Sequence, residues 1–210
     1  MNIDLYHGSM MWQGAKVMLS IIIPAKNEEK SLAALLPEIK KYYPSAEIIV
    51  VNDGSADSTF SVCEKNQVKM ISHPYSLGNG AAIKSGARIA TGDIWITMDA
   101  DGQHQPKDIE RLLKKLDEGY DMVIGARDKS SQANLLRCFG NGVYNRIATW
   151  LVEKPVKDLT SGFRAVRAEK FKEFLMYTGD VNRPKTINKI TTIGRRNKFI
   201  VDCIEEILEE

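Results

Sequence analysis

Residues 96–106 read ITMDADGQHQP. The apolar run Ile94–Met98 stops, and Asp99, Asp101, Gln103 and His104 follow at once. Strands of a parallel sheet are buried on both faces and open toward ligand only at their carboxyl ends. Asp99 and Asp101 stand two apart, so on extended backbone they project to the same side. Two like charges held together need a cation or donor between them. An all-oxygen set favours a hard divalent ion, Mg²⁺ or Mn²⁺, whose other positions are filled by water and phosphate oxygens. A calcium-binding EF-hand is rejected, because His104 falls where that loop requires glycine and a strand precedes instead of a helix. His104 itself reads as an exposed or helix-capping bystander.

Working outward, Ser20–Pro24 (SIIIP), Glu47–Asn52 (EIIVVN), Val68–Ser72 and Met122–Gly125 (MVIG) are further short apolar runs of the same kind. Helical spacing separates them. Leu32, Leu35, Leu36 and Ile39 share a face after Asn27, a candidate cap, with Pro37 implying a kink or a late start. Residues 79–90, 107–118 and 134–152 carry similar patterns. Strand alternating with helix predicts an α/β fold, Rossmann-like and three-layered, around a mainly parallel sheet. Its carboxyl edge would gather Asn27 and Glu28, Asp53, and the aspartates after Met98.

The composition sets bounds. The chain has 210 residues, 43% hydrophobic and 27% charged, with a formal net charge of +2. That suits one soluble domain with a sizeable core and selects no partner class by charge. No apolar stretch approaches the ~20 residues of a membrane span, and no signal peptide is evident. Cys63, Cys138 and Cys203 are few and far apart, which fits reduced thiols in a cytoplasmic protein. Residues 1–18 read as an N-terminal arm, 19–175 as the main domain and 176–210 as a basic, amphipathic tail.

Three other motifs have competing readings. In VVNDGSADST (50–59), Asp53-Gly54-Ser55 is ordinary turn chemistry, and Asp57 or Ser58 can cap the next helix. A carboxylate ending a strand can equally accept hydrogen bonds from a nucleobase or ribose. SLGNGAAIKSG (76–86) approaches both the Walker A loop and the dinucleotide fingerprint, and fails both at Ile83. Gly78 and Gly80 remain suited either to a plain turn or to close approach of a ligand. VKDLTSGFRAVR (156–167) is a turn into an edge strand, with Asp158, Thr160, Ser161 and Arg164 around Gly162. Arg164 and Arg127 are cations suited to phosphate groups.

Taken in order, SIIIPAKNEE, IVVNDGSADST, GNGAAIKSGARIATGDI, MDADGQHQP, VIGAR and DLTSGFRA resemble the family-2 glycosyltransferases of GT-A fold. The branch they resemble is the polyprenyl-phosphate (dolichol-phosphate) hexosyltransferases, which includes the dolichol-phosphate mannose synthases. The likeness covers about residues 19–168. It implies an inverting, divalent-metal-dependent transfer of mannose or glucose from a nucleotide-diphosphate sugar, of the GDP-mannose or UDP-glucose class, to polyprenyl or dolichyl phosphate. It further implies that Pro24, Lys26 and Glu28 line the nucleoside pocket, with Asp53 on the base and Asp99 toward ribose or metal. Asp101 and Gln103 would hold the Mg²⁺ or Mn²⁺ under the donor diphosphate. Arg127 and Arg164 would hold phosphates, and Asp158 stands where a catalytic base has been proposed in the family. Asn52 and Lys26 depart from the pattern, which often has aspartate and an aromatic there.

A phosphate monoester is already largely dianionic at neutral pH, its second pKa being about 6, so it needs little help from a base. Asp158 is therefore expected to orient the acceptor or an arginine. Beyond about Phe174 the resemblance stops. Arg183, Lys185, Lys189, Arg195, Arg196 and Lys198 lie in an acid-free run, either a solvated loop or an attachment to an anionic membrane face. The closing FIVDCIEEILEE has helical spacing and could meet the body, a second copy or a membrane partner. No nucleic-acid partner is expected. The acceptor side leaves two alternatives open: a soluble glycan or protein acceptor, and a non-catalytic nucleotide-sugar-binding subunit.

Overall fold

The computed structural model describes the backbone of residues 5–6, 9–12, 15–125, 161–170 and 172, with side chains from Val17 onward in that set. The chain divides into two compact units, Met1–Glu110 and Arg111–Glu210. In the first, β1 (Leu5–Tyr6), β2 (Ser9–Trp12) and β3 (Ala15–Val17) pair antiparallel in that order. The segment expected to be an arm therefore carries a small sheet. Strands of 2 and 4 residues are too short to display a period in the sequence.

Strand and helix then alternate as β4 (Leu19–Ala25), α1 (Glu29–Tyr42), β5 (Glu47–Asp53), α2 (Thr59–Lys65), β6 (Lys69–His73), α3 (Asn79–Ile89) and β7 (Ile94–Thr97). The four strands are parallel in the order β6-β5-β4-β7. This is the expected α/β architecture. Ile21, Ile22 and Ile23 are each 0% exposed, so β4 is covered on both faces, as its unbroken apolar run requires. Leu32, Leu35, Leu36 and Ile39 form the buried stripe of α1. Pro37 lies exposed inside α1, and the late start it suggested is not taken. Asn27 is not the cap of α1. It takes a left-handed φ of 57°, and Glu28 occupies the cap position.

A 3₁₀ turn (Pro106–Asp108) leads into α4 (Ile109–Asp117), which runs across the division between the units. In the second unit β8 (Met122–Ile124) pairs antiparallel with β9 (Arg164–Arg167), Val123 opposite Ala165. Gly125 N–H extends the pair by donating to the Phe163 carbonyl at 2.9 Å. Arg167 ties the pair to the end of α4 through the carbonyls of Leu116 and Tyr120, both at 3.2 Å. The helix expected at 134–152 lies outside the described residues.

Candidate functional site

The chain lays β5 and β6 on one side of β4, then crosses to place β7 on the other. Such a reversal leaves a crevice beyond the carboxyl ends of the strands, where open α/β sheets bind ligands. A cleft of about 330 Å³ lies there, lined by residues at the ends of β4 and β5 and by residues that follow β4, β6 and β7. Pro24, Lys26, Glu28, Asp53, Asp99 and Asp101, all singled out in the sequence, share its wall. A wider cleft of about 660 Å³ has Met18, Glu47 and Thr91 in its wall. Its charges are satisfied by protein: Glu47 by Lys69, Ser20 and the Thr91 N–H, and Lys40 by the Asn66 carbonyl. Size therefore does not select the site; the state of its charges does.

The loops after β4 and β5 hold each other. Asn27 N–H donates to Ser55 Oγ at 2.9 Å, and Ala56 N–H returns a bond to Asn27 Oδ1 at 2.8 Å. Glu28 N–H donates to Thr59 Oγ1 and Glu29 N–H to Asp57 Oδ2, while Ser58 N–H donates to Glu29 Oε2. Asp57 also accepts from Thr59 N–H at 3.0 Å, while the cap position of α2 is held by Ser58, whose side chain makes no capping bond. Lost hydration raises the Asp57 carboxyl, but these bonds outweigh it and hold the group below its ordinary value of 3.8. The clasp fixes the backbone that carries Lys26 and Glu28 at the pocket. Glu28 is further anchored by Ser31 Oγ, which donates to its Oε2 at 2.8 Å.

Asp53 is 4% exposed. Its Oδ1 accepts from Leu77 N–H at 2.8 Å and meets His73 Nδ1 at 2.7 Å. Its Oδ2 accepts from Ser76 Oγ at 2.8 Å and Gly78 N–H at 2.9 Å. Burial raises this carboxyl, and the four hydrogen bonds, led by His73, more than offset that, so it stays ionised well below the carboxylate range. A carboxylate offers about four lone-pair sites, and all four are in use. A donor base contacting Asp53, as the resemblance implies, would share an oxygen with one of these partners. Sequence reading missed His73. The only trace was a histidine ending an apolar run, and its meaning depends on the pairing of β6 with β5.

The aspartates after β7 differ. Buried Met98 and Ala100 alternate with half-buried Asp99 and exposed Asp101, the same-side arrangement expected of extended backbone. Neither aspartate has an ion-pair partner among the described residues. Asp99 has a long contact with Asn79 Nδ2, 3.4 Å, and Asp101 Oδ1 accepts the Gln103 N–H at 3.0 Å. The Gln103 side chain is exposed. His104, by contrast, is only 9% exposed, so of the two expected readings the exposed one does not hold. The turn closed by Asp101 and Gln103 folds the chain back and carries His104 inward. Arg164 opens β9 in the second unit, with Nε donating to the Ser161 carbonyl at 2.9 Å. Arg127 and Asp158 lie outside the described residues.

No cluster of three or more His, Cys, Asp or Glu side chains gathers among the described residues. Asp99 and Asp101 in one cleft still fit Mg²⁺ or Mn²⁺, which commonly take one or two carboxylates and complete their shell with water and substrate phosphate.

A model of glycosyl transferase family 2 matches residues 20–175. The chain belongs to that family. Within it, an uncharacterised protein of Methanocaldococcus jannaschii is 39% identical over 163 residues, 74% of this chain and 67% of that protein. The undecaprenyl-phosphate 4-deoxy-4-formamido-L-arabinose transferase of Proteus mirabilis is 34% identical over 159 residues, 71% of this chain. This family-2 chain spans about half of that relative, 48% of its length. Among solved structures, glucosyl-3-phosphoglycerate synthase from Mycobacterium tuberculosis with Mn²⁺, UDP-glucose and phosphoglyceric acid superposes with a TM-score of 0.62. It is 19% identical, with 85% of this chain and 68% of that one covered. Mannosyl-3-phosphoglycerate synthase from Rubrobacter xylanophilus also gives 0.62, at 17% identity, covering 85% and 63%. These likenesses establish the GT-A glycosyltransferase fold.

Proposed function

We propose that this glycosyltransferase moves a hexose, mannose or glucose, from a nucleotide-diphosphate sugar to a polyprenyl phosphate, with inversion and with Mg²⁺ or Mn²⁺. The observation that carries this reading is the convergence of residues at the ends of β4 and β5 and beyond β7 on one cleft whose Asp99 and Asp101 have no ion-pair partner among the described residues. The transferase relative named for undecaprenyl phosphate supports the acceptor class.

In this reading Pro24, Lys26 and Glu28 border the nucleoside, and Asp99 faces ribose or metal. Asp101 and Gln103 hold the ion, which when bound neutralises the departing diphosphate. An acceptor phosphate oxygen bonds to the anomeric carbon as the bond from that carbon to the diphosphate oxygen breaks, inverting the centre. The acceptor arrives ionised, so no side chain has to remove a proton. Arg127 and Arg164 hold phosphates, and Asp158 orients the acceptor. A lipid acceptor places the reaction at a membrane surface, on its cytoplasmic side. There the basic residues from Arg183 to Lys198 each contribute about 1 kcal/mol of attraction to anionic lipid.

The test is incubation with radiolabelled GDP-mannose and UDP-glucose, Mn²⁺ and a short-chain polyprenyl phosphate. Label extracted with the lipid is the expected result. Transfer to water-soluble acceptors alone replaces the acceptor class, and donor binding without transfer makes the chain a nucleotide-sugar-binding subunit.

A further inference from the structure

The cleft has a support in the contact between the ends of β5 and β6. Asp53 and His73 are register partners at the ends of β5 and β6. The His73 side chain is 8% exposed, and both ring nitrogens are engaged: Nδ1 with Asp53 Oδ1 at 2.7 Å, Nε2 with Ser85 Oγ at 2.9 Å. An ionised carboxylate only accepts, so Nδ1 carries the hydrogen toward Asp53. In the neutral ring, Nε2 then accepts from the Ser85 hydroxyl. The imidazole is thus fixed in tautomer and orientation by α3 on one side and β5 on the other.

An Asp–His–Ser series invites a nucleophilic reading, but the geometry opposes it. Ser85 lies within α3, and neither it nor His73 lines the cleft. A nucleophile must meet substrate; this hydroxyl meets an imidazole. What the series does reach is the segment after β6. Asp53 holds Ser76, Leu77 and Gly78 at once, and Ser76, Gly78 and Asn79 are cleft wall. Gly54 makes the same fit from below. Its φ is +69°, and a Cβ there would stand 2.7 Å from Ser76 N and from the Tyr75 carbonyl carbon. The segment therefore lies directly on the Asp53–Gly54 turn, with no side chain between.

We propose that His73 is a positioning residue of the donor pocket: it fixes Asp53, and through Asp53 the backbone N–H groups of Leu77 and Gly78, so that the wall from Ser76 to Asn79 keeps the shape a nucleoside diphosphate meets. The proposal rests on the donor-pocket reading above. His73 neither touches the donor nor moves a proton in the transfer. Its loss is felt in donor affinity and not in the chemical step.

Two substitutions separate this from a general packing role. In His73→Asn the side-chain amide N–H takes the place of Nδ1 and keeps the bond to Asp53. In His73→Gln the amide reaches the Nε2 place, keeping Ser85 and giving up Asp53. Binding of UDP and of GDP to the full chain is measured with Mn²⁺ by calorimetry, and donor KM and kcat by transfer assay. His73→Gln is expected to weaken donor binding about ten-fold or more, as befits a lost bond to a charged group, with kcat little changed. His73→Asn is expected to restore affinity to within about three-fold of the parent. Equal losses in the two variants, or none in either, overturn the proposal.

Amide resonances of Leu77 and Gly78 supply a reading that does not depend on the donor. They shift in His73→Gln and not in His73→Asn. If the parent binds no nucleoside diphosphate, the donor-pocket reading has failed, while these resonances still decide the linkage. Should His73→Gln not fold, Ser85→Ala frees the ring from α3. Faster hydrogen exchange at Leu77 and Gly78, with amides of β4 unchanged, supports the proposal, and unchanged exchange overturns it.

Discussion

Asp53 and His73 end neighbouring parallel strands at the same register, and their side chains meet at 2.7 Å. From this contact a buried carboxylate gathers three further donors and holds the segment that enters α3. Asp99 and Asp101 line the same cleft without such compensation among the described residues. The cleft thus combines one acid satisfied by protein with two that no described cation neutralises.

Asp53→Asn replaces an acceptor-only group with one that presents N–H toward donors. At neutral pH the change is expected to cost about 2 kcal/mol, the scale of buried polar groups left unpaired. Its pH dependence has a definite sign. The native carboxyl is depressed below its ordinary value of 3.8, so its stabilisation is complete above that value and fades as pH falls through the native one. Urea midpoints of parent and variant should differ clearly at pH 7, and the difference should begin to narrow only as pH falls below 3.8.

Asp57 is more exposed and acts between loops. Asp57→Asn is expected to shift Tm only slightly, yet to loosen the clasp that carries Lys26 and Glu28. Hydrogen exchange at the amides of Glu29 and Thr59 checks this, and both should speed up. The same exchange should appear in the parent as acid protonates Asp57, again below the ordinary value of 3.8.

How much of this was visible in the sequence follows from the range of each interaction. Strands β4 and β5 and helix α1 were legible because unbroken isoleucine and valine runs and the Leu32–Ile39 stripe are local signals, whereas β1 to β3 carry none. The acids at three strand ends were legible for the same reason, once the sheet was taken as parallel. His73 was not, since its role depends on which strand lies beside β6 and in what register. His104 was misjudged because a turn, and not the local pattern, decides its burial. Asn27 reads as a cap because an asparagine precedes the Leu32–Ile39 stripe, but its oxygen accepts the Ala56 N–H across the clasp and not one from α1.

Gly86 sets how closely α3 lies on the sheet. An added Cβ would stand 2.5 Å from Ile22 Cγ2 and 3.1 Å from Val51 Cγ2. Alanine gains up to about 1 kcal/mol in helix propensity, and overpacking a close contact costs about 1–3 kcal/mol. Gly86→Ala is therefore expected to destabilise on balance and to weaken donor binding by moving the start of α3. Denaturant unfolding and donor titration of the variant test both parts.

Cys63 is 0% exposed, and burial raises its thiol to about 11. Thiolate is therefore scarce at pH 8. Alkylation of the native protein, read by peptide mass spectrometry so that Cys138 and Cys203 are scored separately, should leave Cys63 unmodified. Denaturant should expose it to complete reaction.

In the proposed function, the cleft at the ends of β4, β5 and β7 binds a nucleotide-diphosphate sugar through a divalent ion held at Asp101. The direct measurement is calorimetric titration of GDP-mannose and UDP-glucose into the parent and Asp101→Asn proteins, with Mn²⁺ and with chelator. One donor is expected to bind the parent only with Mn²⁺, and Asp101→Asn to lose at least about ten-fold in affinity. Donor binding of equal strength with chelator and in Asp101→Asn, or no binding of either donor under any condition, would contradict it.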